Sequence, residues 1–315
     1  MRLIVVALVL AAMALAGCQS PPTAAPPADR PAPPGDWSTS LASLRQVDDH
    51  PLWTMRYTGG YDRLKGVPTP EPEAPFGCSL FATDGNFARN FDWDANPAML
   101  LFTEPPDGYA SVSMVDLSYL GVGDLTGDAD RDRLVNAPLL PFDGMNAKGL
   151  AIGLAAVPDA QPGSAPERPT VGSVRIIRLV LDQAATVDEA VAVFERHNVD
   201  FSGGPPLHYL VADATGASVV VEFVDGEVVA HPTSTAVNFT LTGTDEATRQ
   251  ADERYRTATG GLAGARGWQG AMDLLSRVVQ GHTQWSVVYG LTTGEVHVAT
   301  DKRFDRVHDF KLDLA

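Results

Sequence analysis

Pro75-Phe76-Gly77-Cys78-Ser79-Leu80-Phe81, with Ala88-Arg89-Asn90-Phe91-Asp92-Trp93 shortly after it, closes a Pro-rich connection (Val67 to Pro75) and opens a run of dense alternation. A lone cysteine in a strand is by default a small buried hydrophobe. Cys78, however, directly follows a glycine, and Arg89 and Asp92 come within one hairpin of it. A thiol needs a nearby cation to bring its pKa down from ~8.5, and a guanidinium supplies one without losing its own proton. The pattern points to a reactive thiol at Cys78. Taken alone, an Arg and an Asp three residues apart are ordinarily a surface ion pair.

Working outward, period-two alternation predicts strands over Ser79 to Thr83, Phe87 to Phe91, Tyr209 to Asp213, Ser218 to Val224, Glu227 to Ala230, Ala236 to Leu241, Trp285 to Tyr289 and Glu295 to Thr300. Ala214-Thr215-Gly216, Asp225-Gly226 and Thr292-Thr293-Gly294 are short enough to close antiparallel hairpins. Between the strands lie two amphipathic helical segments in series, Ile177/Val180/Leu181/Ala184 and Val187/Ala190/Val191/Phe194. Thr186, with Glu189 three residues on, reads as a capping box at their junction. A third helix aligns Ala271, Leu274, Leu275 and Val278. Strands grouped around a helix pair imply α+β, with helices layered on antiparallel sheets rather than alternating as βαβ. There is no internal repeat, no GxGxxG and no P-loop.

The G-C-S-x-F and R-N-x-D-W motifs resemble the N-terminal-nucleophile (Ntn) linear amide C–N hydrolases. That group includes choloylglycine hydrolases, penicillin V acylases, isopenicillin-N acyltransferases and acid ceramidase relatives. Further matches follow in order: Asp143-Gly144-Met145-Asn146-Ala147-Lys148-Gly149-Leu150, then Pro206-Leu207-His208-Tyr209 through Val220-Val221-Glu222, then Thr283-Gln284-Trp285-Ser286-Val287-Val288-Tyr289. The resemblance spans residues 76 to 289. It implies a four-layer αββα sandwich, two antiparallel sheets flanked by helices, with the catalytic domain over 78–315.

The resemblance also implies roles. Cys78 is the nucleophile and, after autocleavage of the Gly77–Cys78 bond, the chain's N-terminus; Arg89 and Asp92 occupy the R-N-x-D positions. Asn238 corresponds to the asparagine whose amide binds the oxyanion, and Arg254 to a late S-x-x-R-[FY] arginine, although the serine is missing here. Where choloylglycine hydrolases continue G-L-N-F-P, this chain has Gly153-Leu154-Ala155-Ala156-Val157-Pro158. Ala155 is thus expected to offer only a backbone N–H to the oxyanion, which weakens a bile-salt reading. The implied reaction cleaves a linear amide of a small-molecule N-acyl compound through a thioester, with no cofactor and no metal. The freed α-amine, with a reference pKa of ~7.7 to 8.0, is the general base. Specificity is expected in loops such as Asn96 to Gly127. An acyltransferase of the same family, a Cys–His enzyme using His208, and a non-catalytic ligand-binding lipoprotein are the alternatives, though His208 reads better as a packed strand residue.

The N-terminus carries a separate signal. Met1-Arg2 precedes an apolar run from Leu3 to Ala16, too short to span a bilayer at ~1.5 Å per residue but the size of a signal-peptide core. It ends in Leu15-Ala16-Gly17-Cys18, which resembles the bacterial lipobox. Residues 1–17 are expected to be a lipoprotein signal peptide, Cys18 the lipidation site, and the Pro/Ala-rich stretch to residue 36 a tether reaching roughly 55 Å at ~3.1 Å per residue. Residues 37–77 read as a prosegment. The chain is therefore expected at a bacterial cell envelope, extracytoplasmic and lipid-anchored, and a homo-oligomer is compatible with that reading. In the 315-residue chain, 39 Asp+Glu against 23 Lys+Arg give a net charge of -16, which argues against nucleic acid as a partner. Two cysteines supply neither a disulfide framework nor a four-thiolate zinc site.

Overall fold

The computed structural model describes residues 37–68 and 77–315. The expected signal peptide, the lipidation site Cys18, the tether and the last part of the connection before Gly77 lie outside them. In chain order the elements are α1 (Trp37–Ala42), β1 (Arg45–Asp48), β2 (Leu52–Tyr57), β3 (Gly77–Thr83), β4 (Asn86–Asp92), β5 (Ala98–Thr103), β6 (Ser111–Asp116), α2 (Asp128–Arg133), β7 (Asp143–Asn146) and β8 (Ala151–Ala156). They continue as β9 (Thr170–Gly172), α3 (Arg175–Gln183), α4 (Val187–Glu195), β10 (Asn198–Asp200), β11 (Leu207–Ala212), β12 (Ser218–Val224), β13 (Glu227–Pro232) and β14 (Thr235–Ala236). The chain ends with α5 (Glu246–Ala251), α6 (Glu253–Gly261), α7 (Gly267–Arg277), β15 (Thr283–Gly290), β16 (Glu295–Thr300) and β17 (His308–Lys311).

Two sheets face each other. One has nine strands in the order β1-β2-β5-β6-β7-β8-β11-β12-β13, the other six in the order β14-β3-β4-β15-β16-β17. Helices α3 and α4 cover the outside of the larger sheet, and α6 and α7 that of the smaller. The α+β, αββα expectation holds. Strand alternation explains the layering: Cys78 and Leu80 of β3 and Phe87 and Phe91 of β4 join the cluster between the sheets, while Phe81 and Ala88 pack with Ala271, Leu274 and Leu275 of α7. Each fully buried Leu or Phe contributes ~1.5–3 kcal/mol relative to exposure.

Local chemistry fixes the connections. In the β7–β8 turn, the Asn146 side-chain oxygen accepts from the N–H groups of Lys148 and Leu150, and Gly149 takes φ +75°. A Cβ on Gly149 would stand 2.1 Å from the Leu291 carbonyl, so only glycine fits there. Thr186 caps α4 through the Glu189 N–H as read from sequence. Glu189 does not return to Thr186; its carboxylate takes the Ala185 N–H at 2.6 Å.

Four expectations need correction. The strand expected over Ala236 to Leu241 reduces to Thr235–Ala236, which pairs with β3, because the chain then turns and Leu241 N–H and Thr242 N–H bind the Glu222 carboxylate. The Asn96 to Gly127 segment is not a loop: β5 and β6 within it are fully buried strands. The larger sheet is not wholly antiparallel, since β2 runs parallel to β5. That pairing also means that Gly77 is no packing boundary. Leu52 and Met55 of the expected prosegment are fully buried, and Arg63 pairs at 2.5 Å with Asp182 of α3.

Candidate active site

Cys78 sits one residue into β3, wholly buried and facing the larger sheet. Phe91 is its ladder partner on β4, and Gly77 stands opposite Asp92. Arg89 and Asp92 lie on opposite faces of β4, so they do not form the ion pair that their spacing suggests by default. Arg89 points between the sheets. Its Nη2 donates to Cys78 Sγ at 3.2 Å, and its Nη1 donates to Asp143 Oδ2 at 2.6 Å and to the Phe142 carbonyl at 2.7 Å. The guanidinium carbon also lies 4.8 Å from the Phe91 ring centre. Burial pushes the Cys78 thiol up, and the charge and hydrogen bond of Arg89 act against that push.

Asp143, quoted in the D-G-M-N motif without a role, is the counter-ion that makes a buried Arg89 tolerable. Trp285 Nε1 donates to its Oδ2 and Tyr289 OH to its Oδ1. The late T-x-W-S-x-V-Y strand thereby acquires a reason. Its threonine acts on the other face of the smaller sheet: Thr283 Oγ1 and Gln280 Nε2 both donate to Asp92. A Cβ at Gly77 would meet Gln280 Nε2 at 2.6 Å and Asp92 Cβ at 3.1 Å, so the glycine keeps the backbone against these two side chains.

Asn238 and Arg254 converge on the same residue. Asn238 Oδ1 accepts from the Cys78 N–H at 2.9 Å, and Asn238 Nδ2 donates to the Ala156 carbonyl at 2.8 Å. Arg254, in the first turn of α6, donates to the Cys78 carbonyl at 2.8 Å and to Asn238 Oδ1 at 3.0 Å, and its Nη1 lies 3.9 Å from Asp92 Oδ2. A cavity of about 370 Å³ opens beside these groups, lined by Gly77, Ala156, Val157, Pro158, Asn238, Arg254, Gln280 and His282.

Ala155 is not part of that lining. It stands opposite His208 in the β8–β11 ladder. Val157 N–H reaches the Pro206 carbonyl, so the N–H two residues earlier, on Ala155, points toward β11 as well. Leu154 N–H points the other way, to the Phe142 carbonyl, and the N–H of Ala156 follows it past the end of β7. Ala155 therefore turns its N–H into the ladder, whereas Ala156 lines the cavity and its carbonyl accepts from Asn238 Nδ2.

His208 is buried and engaged elsewhere. Its Nε2 meets the Val237 carbonyl at 2.8 Å and its Nδ1 meets Glu222 Oε1 at 3.3 Å, so it braces the segment that carries Asn238. His208 is thus the packed strand residue read from sequence and not the partner of the alternative Cys–His pair, and among the described residues Arg89 is the side chain hydrogen-bonded to the thiol.

These features define an α+β sandwich with a buried, guanidinium-bound cysteine at the start of an inner strand. A family model described as acyl-coenzyme A:6-aminopenicillanic acid acyl-transferase matches residues 82–256, more than half of the chain. The chain belongs to that family. Among solved structures it is similar to penicillin V acylase from Agrobacterium tumefaciens, at 18% identity and TM-score 0.55 over 76% of this chain and 88% of that one. It is also similar to a mutant of conjugated bile acid hydrolase from Clostridium perfringens, at 16% identity and TM-score 0.51 over 75% and 92%. The shared feature is the Ntn-hydrolase fold.

Glu222 supplies a pH test of the brace. Burial pushes its carboxyl up, but hydrogen bonds from His208 and from the Thr242 and Leu241 N–H groups outweigh that and hold it at about 2, against an ordinary value of 4.5. A depressed carboxyl stabilises the fold fully above its unfolded value, and that contribution is lost as pH falls through the folded one. Between pH ~4.5 and ~2 the melting temperature of the parent should therefore fall more steeply than that of Glu222→Gln. Parallel acid profiles for the two proteins would show that Glu222 does not contribute this term.

Proposed function

We propose that the chain is an N-terminal cysteine amidohydrolase that matures by cleaving its own Gly77–Cys78 bond. The observation that carries this reading is the set of contacts on one residue: Arg89 on the Cys78 sulfur, Asn238 on its nitrogen and Arg254 on its carbonyl. In maturation the Cys78 sulfur attacks the Gly77 carbonyl carbon, the Gly77–Cys78 C–N bond breaks, and the thiol proton passes to the departing nitrogen. Water then opens the thioester, leaving a Gly77 carboxylate, a regenerated thiol and a free α-amine on Cys78.

In turnover the α-amine takes the thiol proton while sulfur attacks the substrate carbonyl, and it returns that proton to the leaving amine. Asn238 Oδ1 already meets this nitrogen, and Asp92 stands beside it opposite Gly77. The oxyanion is received by the Asn238 amide and the Ala156 N–H. Hydrolysis of the acyl-enzyme completes the cycle. A second amine in place of water would make the same intermediate serve acyl transfer, a reading favoured by the description of the matching family. The substrate class is a small N-acyl amide. We further propose that the mature protein is held at an envelope membrane through lipid on Cys18.

Each part has its own test. Cys78→Ala should remain one full-length chain by denaturing intact mass in a purified, protease-free preparation, whereas the parent separates under the same denaturing conditions into two pieces divided before residue 78; self-cleavage of the alanine variant would rule out the intramolecular attack. In the mature enzyme, Asn238→Ala should lower kcat ~10²- to 10³-fold, about 2.7–4 kcal/mol of transition-state stabilisation. Asn238→Asp keeps an oxygen for the Cys78 nitrogen but removes the amide donor, so it should lose kcat as well; parental kcat in that variant would exclude the donor role. Finally, Cys18→Ala should leave the membrane fraction for the soluble one, and unchanged partition would refute the lipid anchor.

A further inference from the structure

Four arginines are embedded near the sandwich, and three have carboxylate partners. Arg89 has Asp143, Arg178 has Asp182 at 2.9 Å, and Arg63 has both Asp182 and Asp107. Arg175, the first residue of α3, is the exception. It is only 8% exposed, its Nη1 donates to the Leu64 carbonyl at 3.1 Å, and its buried Nε has no hydrogen-bond partner. Asp62 acts on it at a distance without forming an ion pair, and burial pulls its pKa down. Among the described residues the buried guanidinium is thus left without a matching anion.

Arg175 lines a cavity of about 290 Å³ whose apolar wall includes Leu64, Val67, Tyr119, Leu140 and Val174. The other charged residue in the lining, Asp200, is exposed and accepts the Ser202 N–H at 2.8 Å. The N-terminus of α3 beside the cavity has no side-chain cap, which adds the positive end of a helix to the guanidinium.

This cavity adjoins the one next to Cys78. Tyr119 of the Arg175 cavity stands 5.6 Å, ring centre to ring centre, from Trp93, whose N–H binds the carbonyl of His282 in the cysteine cavity. On the β11 edge of β8 the register pairs Leu207 with Ala156, and Val157 N–H binds the Pro206 carbonyl, so Pro205 of the first cavity comes opposite Pro158 of the second. The end of β8 is the wall that both share.

We propose that Arg175 is a specificity-determining residue that anchors a carboxylate of the substrate, set apart from the scissile amide by an apolar stretch that crosses the end of β8. The proposal rests on the amidase reading for what happens at Cys78, but the binding step does not require turnover. A guanidinium facing an acid forms charge-assisted hydrogen bonds about twice as strong as neutral ones.

The first measurement uses full-length Cys78→Ala protein and calorimetry with 4-phenylbutyrate and its neutral counterpart 4-phenylbutyramide. The acid should bind more tightly than the amide, and Arg175→Met in the same background should erase that preference, with Arg175→Lys retaining part of it. Equal binding of acid and amide, or a preference that survives Arg175→Met while the melting curve stays parental, overturns the proposal. The second measurement uses mature enzyme and two substrate sets, N-acyl amino acids with the acid on the amine side and monoamides of dicarboxylic acids with the acid on the acyl side, each with its neutral carboxamide analogue. For one of the two sets, Arg175→Met should raise KM for the acid ~10- to 100-fold relative to its neutral analogue while the kcat ratio holds, which identifies the side that carries the anchor. A uniform loss on acids and neutral analogues alike overturns the anchor role. Arg175-dependent binding of the acid without hydrolysis of any amide would instead count against the amidase reading and leave the anchor standing.

Discussion

The buried Arg89 guanidinium is the constraint to which the rest of the architecture answers. Its charge lies wholly out of water, where an unpaired ion would cost several kcal/mol even after relaxation. Asp143 and the Phe142 carbonyl offset that cost from β7 and the residue before it, on the opposite sheet. The ion pair therefore ties β4 to β7 and fixes how the two sheets face each other at this end of the sandwich. Trp285 and Tyr289 hold Asp143 in turn, so both carboxylate oxygens of the pair accept hydrogen bonds, while Arg89 Nε has none. With Nη1 committed to Asp143 and Phe142, Nη2 remains for the Cys78 sulfur.

A second set of contacts holds the backbone around the cysteine rather than its sulfur. Asn238 and Arg254 come from a turn and a helix start, neither of which has a regular ladder to fix it. The turn is braced from β11 and β12, where His208 binds the Val237 carbonyl and Glu222 collects the Leu241 and Thr242 N–H groups, while α6 packs on β3 and β14. A histidine and a glutamate remote from the sulfur thus brace the turn that brings Asn238 to Cys78.

What could be read from the sequence follows from how local its cause is. The hairpins at Ala214-Thr215-Gly216, Asp225-Gly226 and Thr292-Thr293-Gly294, the Thr186 cap and the α7 face depend on residues a few positions apart, and they appear where the pattern put them. Arg89 and Cys78 were legible as partners because both sit in one hairpin. Asp143 carried a motif but no role, since its partner lies on another sheet. That Ala155 turns its N–H toward β11 and away from the cavity could not be read locally, because the direction of an N–H depends on the ladder. The parallel pairing of β2 with β5 could not be read locally at all, because it depends on how a long crossover closes.

That parallel pairing changes the meaning of a cut before Cys78. β2 is held along its length by β5, with Leu52, Met55 and Tyr57 buried. Asp48, at the end of β1, is gripped by Arg303, Arg306 and His308 from the C-terminal part of the chain, and Arg63 by Asp182. Cleaving the peptide bond between Gly77 and Cys78 breaks none of these contacts. It removes a chain closure whose entropic weight grows only slowly with loop length. The apolar area and ion pairs that hold residues 37–68 to the sandwich outweigh that change. Residues 37–68 are therefore physically a part of the folded body, and the bond before Cys78 can open without dismantling the sheet on which the site is built.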